Sequence, residues 1–280
     1  MQILGKSLDK KPERKLNVLN LSVSKLKTFE QCKAKFKFSY LDKLPKVERD
    51  FQIFGKFNHA ALEFFHKEII AGYSGSDSEL MKSSFIKALK EYKGKITKEQ
   101  KDLTFTIMCN YLKFRSDLKS KNILPTTVAV EKEFNVDIDG KILLNGFIDL
   151  IQKDHDGVLH VADYKTSKDD KYLKKDMFQL ETYAYVMCLE DPTLEVVRCS
   201  YIILKQESRS IVKEFTRKHV LSLEETFLKK AKDILEEKLY RPTPTMLCDT
   251  CDYLEHCSEG RAKIEQIKGP SIMRHGEVDW

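Results

Sequence analysis

The sequence predicts an α/β fold: an antiparallel meander of strands, a helical lobe before it, and a helix with a cysteine-bearing segment after it. Three observations carry that expectation. Apolar residues recur at helical spacing between Ser24 and Lys121. Three segments rich in Val, Ile and Phe follow, separated by turn signals. Helix-like and strand-like stretches then alternate up to the cysteines near the C-terminus.

Taken in order, a first helix is expected near Ser24. Ser24 can cap it, and Leu26, Phe29 and Phe36 keep helical spacing. Residues 57–71 read as a second helix with Leu62, Phe65 and Ile69 on one side. Tyr73 to Ser78 reads as a loop. Two more helices fill Glu79 to Lys93 and Lys98 to Lys121, and Pro125 closes this part. Strand character begins at Val128, in TVAVEKEFNVDI, ILLNGFIDLIQ and VLHVADYKT. Asp139-Gly140 marks the first turn between them and Asp154-His155-Asp156-Gly157 the second. A helix from Lys175 to Leu189, strands at Val196 to Leu204 and Ser210 to Thr216, and a helix from Leu223 to Lys238 complete the pattern. Pro242 and Pro244 end it. The expected organisation is a basic leader (1–20), a helical lobe (21–125), a core (126–218) and a C-terminal helix with the cysteine segment (219–280).

The chain has 280 residues, 41% of them hydrophobic, enough for a real core. No apolar run approaches a membrane span, and the basic N-terminus lacks the apolar stretch of a secretory signal. A cytoplasmic protein is the expectation, with no membrane partner. Lys and Arg number 49 against 43 Asp and Glu, a net charge of +6. That bias selects no partner by itself. The clusters Lys33 to Lys37 and Lys171 to Lys175 read as solvated lysine faces, with phosphate contact as the alternative. Seven cysteines in a reducing compartment do not form a disulfide framework. Cys109, Cys188 and Cys199 read as ordinary buried thiols.

The sharpest local inference concerns Asp149, Asp163 and Lys165. Side chains alternate across a strand. Val161, Asp163 and Lys165 therefore share one face, and Phe147, Asp149 and Ile151 share another. A hairpin centred on Asp156 sets Asp149 directly across from Asp163, with Cβ atoms roughly 5 Å apart. Like charges so placed in apolar strands are destabilising unless compensated. A hard divalent cation, Mg²⁺ or Mn²⁺, would resolve the conflict, and Lys165 would then stand beside it. The alternative is a surface cluster in which Lys165 neutralises both acids. Glu131 and Glu133 alternate with apolar residues on the preceding strand, and Glu131 is a further candidate near the site.

These residues resemble the PD-(D/E)XK nuclease superfamily, in its RecB/AddB-like branch, which also holds the CRISPR-associated adaptation nucleases and exonuclease V. Asp149 in GFIDLI is similar to the first motif acid, and Asp163-Tyr164-Lys165 to the (D/E)-X-K triplet. Gln179 to Tyr183 resembles the Q-x-x-x-Y helix, Gly55 to His59 the G-x-x-x-H helix, and LSVSKLKTFEQC the N-terminal cysteine segment. The resemblance spans about Ser22 to Cys257 and implies a restriction-endonuclease-like core, a mixed central sheet flanked by helices. It implies His59, Asp149, Asp163 and the Tyr164 carbonyl as metal ligands. It implies Lys165 as the catalytic lysine, and Gln179 and Tyr183 as groups that contact the strand or orient Lys165. Where relatives have proline after the first cysteine, Lys33 stands here.

Cys248, Cys251 and Cys257 form C-x₂-C-x₅-C, and Cys32 lies 216 positions before the first of them. Spacing alone leaves zinc and an iron–sulfur cluster both open. The resemblance implies a [4Fe–4S] cluster that clamps the first helix to the C-terminal segment. It further implies a metal-dependent DNA nuclease, a single-stranded DNA exonuclease of recombination, repair or processing. Single-stranded DNA or DNA ends would be the substrate. Unwinding would fall to a separate helicase or a recombination or CRISPR protein. The alternatives are a structure-specific endonuclease or CRISPR spacer-processing nuclease, and a non-catalytic DNA-binding scaffold stabilised by zinc.

Overall fold

The computed structural model describes residues 18–167 and 171–269. Most of the expected leader, residues 1–17, lies outside them, as do residues 270–280. The leader's last residues depart from expectation, because Leu19–Leu21 form a strand, β1. The first helix, α1 (Val23–Gln31), is capped by Ser22 and not Ser24. Ser22 Oγ accepts the Lys25 N–H at 3.3 Å, the three-residue reach a cap requires. Cys32 interrupts it in extended backbone. A further turn, α2 (Lys33–Phe36), then runs into a π-turn at Lys37–Leu41.

The helical lobe comprises α3 (Asp50–Ile70), α4 (Asp77–Glu91) and α5 (Lys98–Ser120). Helix α3 starts seven residues before the expected position 57. Its first turn is closed by polar contacts, with Gln52 Oε1 accepting the Arg49 N–H at 3.0 Å, and a search for apolar spacing misses such a start. Ser76 and Thr97 cap the other two by accepting from the N–H groups of Glu79 and Gln100, each at 3.2 Å.

The meander forms as expected. Strands β2 (Thr126–Ile138), β3 (Ile142–Lys153) and β4 (Leu159–Lys165) pair antiparallel in sequence. Both residues of the Asp139-Gly140 turn have positive φ, the conformation a two-residue hairpin favours. Strand β5 (Val196–Ile203) then pairs parallel with β4, and β6 (Arg209–Thr216) antiparallel with β5. The result is a six-stranded mixed sheet.

The sheet is forked. Strand β2 runs along one edge of β3 for its whole length. The other edge is shared: β1 pairs with Ile142–Leu144, and β4 with Leu150–Lys153. Beyond Ala162 β4 leaves β3 and stays only with β5, where Asp163 pairs with Tyr201 and Lys165 with Ile203. Residues 145–149 of β3 therefore face an open wedge.

Alternation along the strands feeds two cores. Ile151 and Val161 pack toward α1, toward α7 (Phe178–Glu190) and toward α9 (Leu223–Glu236). Leu150, Ala162 and Tyr164 pack toward α3, α4 and α5. The one helix expected over Lys175–Leu189 is two, α6 (Lys171–Lys175) and α7. They break at Asp176, whose carboxylate pairs with Lys27 at 2.7 Å and accepts from the Phe178 N–H at 3.3 Å. A short α8 (Arg217–Leu221) leads into α9, which ends at Glu236. Two 3₁₀ turns follow, Met246–Thr250, which holds Cys248 and ends at Cys251, and Leu254–His256, which ends at Cys257, and then a final helix, α10 (Ser258–Lys268). Cys188 and Cys199 are buried as expected, but Cys109 is exposed on α5. In the Lys33 to Lys37 cluster, Lys33 is tied to Glu237 and Lys37 to Asp42.

Candidate active site

The hairpin register fixes the two aspartates. Leu150 pairs with Ala162 and Ile151 with Val161, so Asp149 and Asp163 occupy the next position of the same register, where the strands part. Divergence relieves the crowding of two facing carboxylates. Asp149 Oδ2 instead accepts the Tyr164 N–H at 2.8 Å.

Around Asp149 gathers a first group. His59, two and a half turns into α3, brings Nδ1 to 3.4 Å from Asp149 Oδ2 and Nε2 to 3.1 Å from the Tyr164 carbonyl. Glu131 on β2 closes it. It lies between the ladder pairs Val130–Leu150 and Lys132–Ile148, opposite Asp149, and its φ is +45°. Among the described residues, His59, Glu131 and Asp149 are the trio of His, Cys, Asp or Glu whose ligand atoms all lie within 4.8 Å of one another.

Asp163 organises a second group on the α7 side. Lys165 Nζ lies 2.6 Å from Asp163 Oδ2 and donates to Gln179 Oε1 at 2.9 Å. Gln179 Nε2 donates to Asp163 Oδ1 at 2.8 Å and to the Tyr183 hydroxyl at 2.7 Å. The Tyr183 hydroxyl donates to Asp163 Oδ1 at 3.2 Å. Gln179 and Tyr183 share a face one turn apart on α7, so one helix grips both the acid and the lysine.

The charges divide the two acids. Burial works against an ionised Asp149, but His59, the Tyr164 N–H and Lys165 together hold its carboxyl below the ordinary value. Burial pushes the Asp163 carboxyl up, Lys165 opposes this and Asp149 adds to it. Burial alone would lower His59, yet Asp149, Asp163 and Glu131 raise the imidazole to about 9. Burial and Asp149 push the Glu131 carboxyl up to about 7. Tyr183, buried beside Asp163, is held well above its ordinary value and stays a donor.

This donor set fits a hard divalent cation. One imidazole, two carboxylates and a carbonyl oxygen converge, and the imidazole makes the contacts of a doubly protonated ring. A bound cation would take the place of a proton there, so metal loading releases protons. Of the expected ligands, His59, Asp149 and Tyr164 converge directly. Asp163 is engaged with Lys165, Gln179 and Tyr183. Glu131 supplies the further carboxylate.

The sequence profile of the PD-(D/E)XK nuclease superfamily matches residues 20–258. The chain belongs to the PD-(D/E)XK nuclease superfamily. No curated protein sequence matches it. Among solved structures, a protein from Eubacterium rectale described as a "Putative exonuclease" is similar over 90% of this chain and 93% of its own, at 14% identity and a TM-score of 0.53. SSO0001 is similar over 85% of each chain at 16% identity, with a TM-score of 0.38. The first of these likenesses carries the fold. The mixed sheet with helices on both faces is the architecture of a PD-(D/E)XK core.

Away from the PD-(D/E)XK site, Cys32, Cys248, Cys251 and Cys257 line one cavity. The Thr243, Thr245 and Gly260 N–H groups point at the sulfurs of Cys32, Cys248 and Cys257, at 3.5, 3.4 and 3.3 Å. Burial raises the Cys251 and Cys257 thiols, and Cys32 and Cys248 raise them further. Four cysteine sulfurs lining one cavity would need a positive centre to be ionised together. A Cβ at Gly260 would lie 3.2 Å from Cys257 Sγ, so this residue is small to admit the sulfur. Tyr253, 1% exposed, lines the same cavity, and its hydroxyl has no hydrogen-bond partner. The donor set fits a cysteine-ligated metal centre.

Proposed function

We propose that the protein is a Mg²⁺- or Mn²⁺-dependent deoxyribonuclease of the RecB/AddB-like branch that degrades single-stranded DNA from its ends. We further propose that its four terminal cysteines hold a [4Fe–4S] cluster. The observation that carries the nuclease reading is the convergence of His59, Asp149 and the Tyr164 carbonyl with Asp163 and Lys165 at the fork in the sheet.

His59, Glu131, Asp149 and the Tyr164 carbonyl would hold the cation, with Asp163 at its edge. When bound, a divalent cation polarises a phosphoryl oxygen and lowers the pKa of a water. Lys165, fixed by Gln179 and Asp163, offers its ammonium to charge developing on the phosphate. Gln179 and Tyr183 keep that ammonium from swinging away. The exonuclease reading draws on the fold likeness to the Eubacterium rectale protein, and a helicase, recombination or CRISPR protein would supply the single strand. The iron–sulfur reading draws on the likeness of the cysteine set, Cys32 with Cys248, Cys251 and Cys257, to that of the RecB/AddB-like branch; zinc is the alternative that the same four thiols would also suit.

The test uses labelled linear and circular single-stranded DNA with Mg²⁺ or Mn²⁺. Wild type should shorten the linear strand and spare the circle. Asp163→Ala and Lys165→Ala should each lose about 100-fold or more in rate. Equal activity in all three proteins would sink the site, and cleavage of the circle would make it an endonuclease. Protein purified without oxygen should be brown, with iron and acid-labile sulfide. Colourless protein holding one zinc would overturn the cluster.

A further inference from the structure

Glycines beside the two functional centres differ in why they are small. A Cβ at Gly146 would lie 2.7 Å from Phe134 Cζ, and one at Gly260 would press on Cys257 Sγ. Packing explains both. Gly55 is different. It sits in the interior of α3 with no positive φ, and a Cβ there would meet only Thr166 Oγ1, at 3.5 Å, an ordinary contact. Alanine would fit. Glycine in a helix interior is less stable than alanine by about 1 kcal/mol. Neither packing nor backbone conformation asks for glycine here.

What surrounds Gly55 supplies a reason. It lines an open cleft of about 430 Å³ together with His59, Glu131 and Asp149. His59 lies one turn further along α3. Thr166, the neighbour its Cβ would touch, directly follows Lys165 in sequence. Gly55 therefore forms the lip of the site between the histidine on one side and the end of β4 on the other. Any side chain at this position would project over the approach to both.

We propose that Gly55 is the clearance point for the scissile strand. The missing side chain lets the sugar–phosphate backbone of one DNA strand pass closely over α3 beside Thr166 and bring its phosphate to His59, Asp149 and Lys165. This inference rests on the nuclease reading above. It makes Gly55 a specificity-determining position: the lip admits a bare strand, and each added carbon narrows it.

The full chain carrying Gly55→Ala and, separately, Gly55→Leu is compared with wild type. Thermal unfolding, Mn²⁺ affinity by calorimetry, binding of a fluorescent oligothymidylate in Ca²⁺, and kcat/KM on that strand in Mg²⁺ are measured. Gly55→Ala should unfold a few degrees higher, because helix propensity improves, and should bind Mn²⁺ unchanged. Its strand affinity and kcat/KM should fall about tenfold, the scale on which one carbon discriminates in a tight site. Gly55→Leu should lose more of both with Mn²⁺ affinity still intact. Gly55→Ala that binds and cuts like wild type would overturn the clearance role while leaving the nuclease reading standing. A parallel loss of Mn²⁺ affinity would also overturn it, by making the glycine part of the metal seat. Wild type that neither binds nor cuts the strand would defeat the nuclease reading, and this inference with it.

Discussion

Glu131 stands at φ +45° in the middle of a strand, a backbone region that costs a non-glycine residue of order 1 kcal/mol. Its carboxylate faces Asp149, and burial with that charge lifts it to about 7. Folding gains nothing from either feature, whereas a cation shared with His59 and Asp149 would offset both. Glu131→Gln should therefore leave metal-free stability equal or higher and weaken Mn²⁺ binding about tenfold or more. Titration calorimetry at fixed pH decides it, and unchanged Mn²⁺ affinity would remove Glu131 from the ligand set. The same residue marks how far single positions were legible. Asp149, Asp163 and Lys165 could be placed from strand alternation and a turn that fixes the register. The weight of Glu131 could not, because its positive φ is a local backbone feature that alternation does not encode. Asp163 shows the complementary limit. Its partners Gln179 and Tyr183 lie on a helix across a crossover, and helical spacing gave their shared face but not their hydrogen bonds to Asp163.

Helices α3 and α5 are joined to β2 and β4 by a buried polar chain. His66 Nδ1 lies 2.8 Å from Thr127 Oγ1 and Nε2 lies 2.7 Å from the Tyr111 hydroxyl, which lies 3.1 Å from the Tyr164 hydroxyl. Tyr164 is the residue between Asp163 and Lys165, so the helical lobe is anchored at the Asp163–Lys165 triplet itself. Burial, with Arg115 nearby, lowers His66 to about 3, so the folded protein needs it neutral. A histidine depressed from about 6.5 lends stability that is fully present above pH 6.5 and is lost as pH falls toward 3. The loss is on the order of 5 kcal/mol if the whole shift is realised. His66→Gln, which keeps a donor and an acceptor, should flatten the decline of the unfolding midpoint between pH 6.5 and 4. Identical slopes in the two proteins would show that other groups govern acid unfolding. Element boundaries were legible where turn chemistry sets them, as at Asp139-Gly140. They were hidden where polar residues begin a helix, as at Asp50. They were hidden too where a distant strand supplies the partner, as for the three residues of β1 on β3.

Segments near the two ends of the described chain meet at the cysteine cavity. Cys32 sits between α1 and α2, and the other three cysteines follow α9, so one cavity draws together segments more than 200 positions apart. Ion pairs assist, Glu30 with Lys230 and Arg49 with Asp252, but exposed pairs of this kind contribute about 1 kcal/mol or less. A link closing a loop of 216 positions restricts the unfolded chain by about 5 kcal/mol in the chain-entropy account. A cluster held by the four cysteines, as proposed, would then be the main fastening between the first helix and the C-terminal segment. Cys32→Ser should lower the thermal midpoint by about 10 °C. It should also free residues 242–269 for limited proteolysis while leaving the site at the fork assembled. Mn²⁺ affinity reports on that last point, since His59, Glu131, Asp149 and Tyr164 all belong to α3 and the meander. Loss of iron with an unchanged midpoint and an uncut C-terminal segment would show that α1, α9 and α10 hold the ends together without it. Loss of Mn²⁺ affinity along with the iron would show that the two centres are one cooperative unit.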